Sequence, residues 1–166
     1  MVEIRPESIH DADAVAAVNE AAFGRPDEAR LVARLRGRAR PYLGLVAVED
    51  GAVVGHILFT PVPLQCDQGR HIVMALAPMS VLPAHQRRGI GTALVHAGLE
   101  ACRAAGHEIV MVLGHPAFYP RFGFVRAHPL GLTSEPPFPD ESFMLAELTP
   151  GALRGRRGVI RYDDFG

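Results

Sequence analysis

The spacing of apolar and polar residues changes several times along this chain, and each change marks an element. Residues 2–5 predict a short strand. Asp11 or Asp13 then supplies a helix cap, and Ala14, Val15, Val18, Ala21 and Ala22 recur along one face up to about Phe23. Gly24-Arg25-Pro26 interrupts that period, and Leu31, Val32 and Leu35 restart it in a second helix over 27–35. The apolar run 43–48, the turn at Glu49-Asp50-Gly51 and the run 52–60 predict a hairpin whose second strand ends at Pro61 and Pro63. A strand over 71–81 contains Pro78, which cannot donate to a ladder, so a bulge or a failure of pairing is expected there. Residues 89–105 read as a helix with Ile90, Leu94, Ala97, Ala101 and Ala105 near one stripe and Gly106 at its end. The almost unbroken apolar run 108–113 reads as a strand covered on both faces. Strand, glycine-rich turn, helix and strand make a βαβ unit, which implies parallel strands and a right-handed crossover. A short segment 116–122, a Pro- and Gly-rich loop over 129–139 and a late strand over 142–148 follow, and the pattern assigns no element beyond Pro150. Repeats and linkers are absent, so one domain over 1–166 is expected.

Length and composition narrow the class. A chain of 166 residues, 48% of them apolar, forms a full core, which sets aside disordered and fibrous classes. The formal net charge of −1 is no footprint for a dedicated nucleic-acid binder and points to neither an acidic nor a basic substrate. Arg154-Gly155-Arg156-Arg157 is basic but short, and reads as a solvated loop. Arg34, Arg36, Arg38 and Arg40 alternate rather than line a helical stripe and read as solvated as well. Cys66 and Cys102 lie far apart, outside any metal or redox spacing, and read as reduced, buried thiols. The first residues lack the basic start and apolar run of a signal peptide, and no apolar stretch approaches the roughly 20 residues that span a bilayer. A soluble cytoplasmic protein without metal or membrane partner is the expectation.

The chemistry concentrates in Gln86-Arg87-Arg88-Gly89-Ile90-Gly91-Thr92, between a strand and a helix. Glycines there let the backbone approach a ligand closely. The first helical amides have no intrahelical acceptors, and the helix dipole adds partial positive charge, so the turn suits a pyrophosphate. A P-loop would need Gly-Lys-Ser/Thr, and a dinucleotide fingerprint would need Gly or Ala where Leu94 stands; neither is present.

Gln86-x-x-Gly89-x-Gly91 after a proline-interrupted strand resembles the acetyl-CoA signature of the GNAT superfamily of N-acetyltransferases. Ala77-Pro78-Met79-Ser80-Val81-Leu82-Pro83 looks like that family's central strand, and Tyr119-Pro120-Arg121-Phe122-Gly123-Phe124 like its aromatic segment. Element order agrees from Val2 to about Leu148. The resemblance implies a mixed α/β (α+β) fold: a strongly twisted sheet of about six to seven strands flanked by helices, with its two parallel central strands splayed.

The resemblance also implies an enzyme that moves an acetyl group from acetyl-CoA, as cosubstrate, to a primary amine by direct attack through a tetrahedral intermediate. Met79, Ser80 and Val81 would pair with the pantetheine arm. Gln86, Arg87, Arg88, Gly89, Ile90, Gly91 and Thr92 would form the pyrophosphate turn, with the arginine side chains more often solvated than bound. Tyr119 would protonate the leaving thiolate, since a phenol with a pKa near 10 keeps its proton at pH 7. Phe118, Phe122 and Phe124 would pack the core or the cofactor. The general base stays open among Glu20, Glu28, His56, His115 and a water chain. The acceptor, a small-molecule or peptide amine, would meet the first two helices, their connecting loop and 129–139, with Glu28 drawing a cationic amine. A homodimer stays open, dimers being common in the family. The alternative is a non-catalytic acyl-CoA-binding module.

Overall fold

A computed structural model describes residues 1–162. The strands are β1 (Val2–Pro6), β2 (Leu43–Glu49), β3 (Ala52–Cys66), β4 (Gly69–Val81), β5 (Ile109–Leu113), β6 (Val125–Arg126), β7 (Leu132–Glu135), β8 (Phe143–Glu147) and β9 (Gly158–Arg161). The helices are α1 (Ala12–Phe23), α2 (Asp27–Arg38) and α3 (Ile90–Ala104). All nine strands join one mixed sheet in the order β1-β2-β3-β4-β5-β8-β6, with β9 pairing both β3 and β7. The β4–α3–β5 unit is parallel, and β7–β9 is the second parallel pair.

Alternation along the strands divides the interior into two layers. Ile57 and Phe59 of β3 and Val110 and Val112 of β5 pack with Leu94, Val95 and Leu99 of α3 on one face. Leu58, Ile109 and Met111 pack with Val15 of α1 and Val32 and Leu35 of α2 on the other. Each such fully buried aliphatic side chain stabilises the fold by about 1.5–3 kcal/mol. The buried stripe of α3 passes through Gly98 and Cys102, while Ala105, expected on it, is exposed. A Cβ on Gly98 would overlap the Phe59 ring, so this glycine lets α3 lie close against β3.

The helix ends follow local chemistry. Gly24 closes α1 in the left-handed region at φ +70°, donating its N–H to the Glu20 carbonyl at 2.9 Å. Neither Asp11 nor Asp13 gives α1 a side-chain cap. Asp11 instead accepts the Ser8 amide at 2.7 Å at the head of a preceding 3-10 turn, and Arg5 grips both its oxygens at 2.8 and 2.9 Å.

Several expected boundaries move. The second hairpin strand does not stop at Pro61 and Pro63, because β3 runs to Cys66. Both prolines fall beyond Phe59, the last β3 residue that β2 pairs, and before Leu64, where β9 begins. Over that stretch β3 has a ladder on one side only, so two missing amides are tolerated. The supposed loop 129–139 contains β7, and the unassigned tail contains β9; these two strands and the two-residue β6 make nine where six to seven were expected. Cys102 is buried, which pushes its thiol up to about 12, and half-buried Cys66 donates to the Gly69 carbonyl at 3.3 Å.

Candidate active site

The site begins where β4 and β5 part. They pair in parallel from Met74 with Val110 to Leu76 with Val112, and no further. On its other edge β4 carries the bulge expected at Pro78: Phe59 faces Leu76 and Ile57 faces Met79, so two residues, Ala77 and Pro78, stand against one, Leu58, with no paired register between them. Meanwhile β5 turns toward β8, with Leu113 opposite Phe143 and the Gly114 amide donating to the Ser142 carbonyl at 3.0 Å. The opened wedge holds a cavity of about 1050 Å³. Its walls come from both layers of the core: Leu76, Met79, Val81, Ile90 and Tyr119 from the α3 side, Leu31, Ala77 and Tyr162 from the α1/α2 side.

The turn from β4 to α3 forms one end of this cavity. Gln86 donates its side-chain N–H to the Val81 carbonyl at 3.1 Å and so ties the turn to the last residue of β4. Arg87 at φ +64° and Gly89 at φ +83° both take left-handed backbone, which swings the chain directly into α3. The α3 amides that lack intrahelical acceptors therefore open on the cavity wall at Gly89–Thr92. A Cβ on Gly91 would stand 3.5 Å from the Met79 methyl group, in ordinary contact, so the helix start packs directly against the end of β4.

Among the residues singled out from sequence, Met79, Val81, Gln86, Arg87, Gly89, Ile90, Gly91, Thr92, Tyr119 and Glu28 all line the cavity. Ser80 and Arg88 do not. Strand alternation turns the Ser80 side chain to the opposite face, across from His56, where its hydroxyl is buried without a hydrogen-bond partner. Arg88 points away and clasps Glu49 at 2.6 and 3.1 Å, pinning the turn to the end of β2.

Tyr119 is 7% exposed and meets Phe118 and Phe124 edge to face at centroid distances of 5.0 and 5.6 Å. A Cβ on Gly114 would overlap its ring, so the glycine after β5 gives the tyrosine its place. Burial pushes the phenol up to about 12, so it stays protonated throughout the neutral range.

The base candidates separate. His115 lines the cavity and is exposed, whereas Glu20 is exposed and lies outside it. Glu28 lines the cavity, but Arg25 holds both its oxygens at 3.0 and 2.5 Å, which keeps its carboxyl below the usual range. His56 is fully buried: its Nε2 meets Glu7 at 2.8 Å and its Nδ1 meets the Asn19 amide at 3.3 Å. Asn19 also donates to the Val15 carbonyl at 3.0 Å, so His56 Nδ1 accepts and Nε2–H donates to Glu7.

Sequence reading missed Phe23, Leu31, Leu113, Arg121 and Tyr162 in the wall. Phe23 sits at the break that the glycine and proline announce, a signal that was available; Tyr162 follows β9 and had none. Among the described residues no three of His, Cys, Asp and Glu stand together to hold a metal ion, and no helix is long and apolar enough to cross a membrane.

Residues 3–127 match the sequence model of a family described as "Acetyltransferase (GNAT) domain". The chain is 39% identical over 164 residues to the uncharacterised N-acetyltransferase YjhQ of Escherichia coli, covering 94% of this chain and 91% of that protein. It is 35% identical over 162 residues to the uncharacterised N-acetyltransferase YhbS of the same organism, covering 97% and 96%. The crystal structure of YhbS in complex with CoA superposes with a TM-score of 0.89 at 32% identity, over 99% of this chain and 91% of that one. A GNAT family acetyltransferase from Brucella melitensis in complex with acetyl-CoA gives 0.78 at 34% identity, over 96% and 94%.

Proposed function

We propose, from the premise that this chain belongs to the GNAT family of N-acetyltransferases, that it binds acetyl-CoA in the β4–β5 wedge and acetylates a primary amine directly. The observation that carries this reading is the end of β4–β5 pairing at Leu76, which leaves a cavity running to the first amides of α3. The residues suit the group. The amides of Gly89–Thr92, presented by two left-handed residues, fit a diphosphate, and β4 beyond Leu76 has no β5 partner and offers its backbone to an extended amide-bearing arm. The two similar proteins crystallised with CoA or acetyl-CoA support the same ligand class.

Acetyl-CoA, once bound, supplies an acetyl thioester whose C–S bond is exchanged for a C–N bond to the acceptor. The chain's own residues do the rest. Met79, Val81 and Ile90 form an apolar wall that sheds water and strengthens every dipole facing the carbonyl. Unpaired N–H groups of β4 past the bulge meet negative charge developing on the carbonyl oxygen. Tyr119 holds a proton at its hydroxyl and gives it to the departing sulfur; the proton lost by the amine nitrogen returns through water to the phenolate. His115 is exposed on the same wall, which suits it to start that return path. Ser80 and Arg88, turned away from the cavity, contribute through the strand backbone and through the Glu49 clasp.

Calorimetric and thermal-shift titration with acetyl-CoA, CoA and longer acyl-CoAs tests the reading, together with thiol release in the presence of amines. Saturable binding without thiol release from any amine would mark a binding module instead. Gly89→Val is expected to weaken acetyl-CoA binding by about 100-fold or more, since a branched residue at φ +83° costs about 1–3 kcal/mol in backbone alone and distorts the turn as well. Unchanged affinity in a folded Gly89→Val protein would separate the ligand from this turn.

A further inference from the structure

Acceptor chemistry is the part of the proposed reaction that the cavity wall specifies most sharply. Phe23 ends α1, and Leu31 and Tyr162 pack against the α1/α2 layer; all three line the cavity, as does Leu113. Phe23 is 39% exposed and Leu113 40% exposed, so two large apolar side chains of the wall also face solvent. Glu28 is the one carboxylate among the described residues of the wall, and Arg25 already engages both its oxygens. Arg87 belongs to the diphosphate turn, and Arg121, the other arginine of the wall, is cationic as well. A polycationic acceptor would thus find no free anion on the wall, whereas an apolar body would cover Phe23 and Leu31.

We infer that the acceptor is a monoamine carried on an aryl or alkyl body, and that Phe23 and Leu31 select it while Arg25 masks Glu28 against polyamines. This rests on the acetyl-CoA reading above. The expectation that Glu28 by itself draws a cationic amine gives way to one in which its charge is already spent on Arg25.

The test uses the full chain loaded with CoA, so that binding is read without turnover. Calorimetry with phenethylamine as aryl monoamine and spermidine as polyamine is expected to favour phenethylamine by at least about tenfold. Phe23→Ala and Leu31→Ala should each weaken phenethylamine by about tenfold with CoA affinity unchanged. Arg25→Ala should tighten spermidine and leave phenethylamine alone, because it releases the Glu28 carboxylate. Spermidine binding as tightly as phenethylamine in the wild type, or phenethylamine indifferent to both truncations, overturns the acceptor assignment. A wild-type chain that fails to bind CoA or acetyl-CoA at all overturns the cofactor reading beneath it.

Discussion

Tyr119→Phe lowers turnover by about 10²–10⁴-fold, the range for loss of a positioned proton donor, while the dissociation constant for acetyl-CoA stays within about twofold. The asymmetry follows from how the ring is held. Its contacts with Phe118 and Phe124 and its seat over Gly114 involve the carbon skeleton, which phenylalanine reproduces. What goes is one hydroxyl, whose proton burial makes hard to remove below a pH of about 12. The wild-type rate should accordingly show no loss from deprotonation of this phenol between pH 7 and 10. Steady-state kinetics alongside calorimetry decides the matter: an equal collapse of affinity and turnover would make Tyr119 a packing residue.

Glu7→Ala is expected to cost about 3–5 kcal/mol of folding stability, the scale for removing one partner of a buried ion pair. The Glu7 side chain is 3% exposed and accepts from Arg36 at 2.9 Å, Tyr42 at 2.8 Å and His56 at 2.8 Å. These donors belong to α2, to the segment before β2 and to β3, so one carboxylate joins three elements. Burial works to raise its pKa, but the hydrogen bonds from His56, then Arg36 and Tyr42, outweigh it and hold Glu7 below its ordinary 4.5. Because the folded value is the lower one, this stability is complete above pH 4.5 and drains away as pH falls through the folded value. Asp11, held well below the carboxylate range by Arg5, adds a loss of the same sign as pH falls through its own folded value. Urea denaturation at pH 7, 5 and 3 should show wild-type stability falling with acid and a Glu7→Ala protein both weaker and less sensitive. A midpoint unchanged at pH 7 would refute the role.

What was legible in the sequence is what depends on neighbours close along the chain. The helical period after Gly89, the glycines that open the turn and Pro78 inside a strand are local statements, and the structure places the break in pairing where they predict it. Alternation along β4 was equally available and separates Ser80 from Met79 and Val81, although the resemblance had grouped all three. Proline as a strand terminator misled at Pro61 and Pro63 because tolerance there depends on which edge of β3 lacks a partner, a fact about β2 and β9 rather than about β3. The strand β9 is held by β3 and β7 across long separations, and nothing within Gly158–Arg161 announces either partner. Glu7 likewise reads as an ordinary acid after a strand until α2 and β3 deliver their donors. The wall residue Tyr162 inherits the same difficulty, since it reaches the cavity only because β9 does.

A wedge walled by residues from both layers of the core lets the two proposed reactants approach from opposite faces of the sheet. On the function proposed above, the nucleotide arrives from the α3 face and the amine from beneath α1 and α2, so neither must depart before the other enters. Initial-rate plots at several fixed concentrations of one reactant should then converge to a common point rather than run parallel, and free CoA should oppose acetyl-CoA competitively while leaving room for the amine.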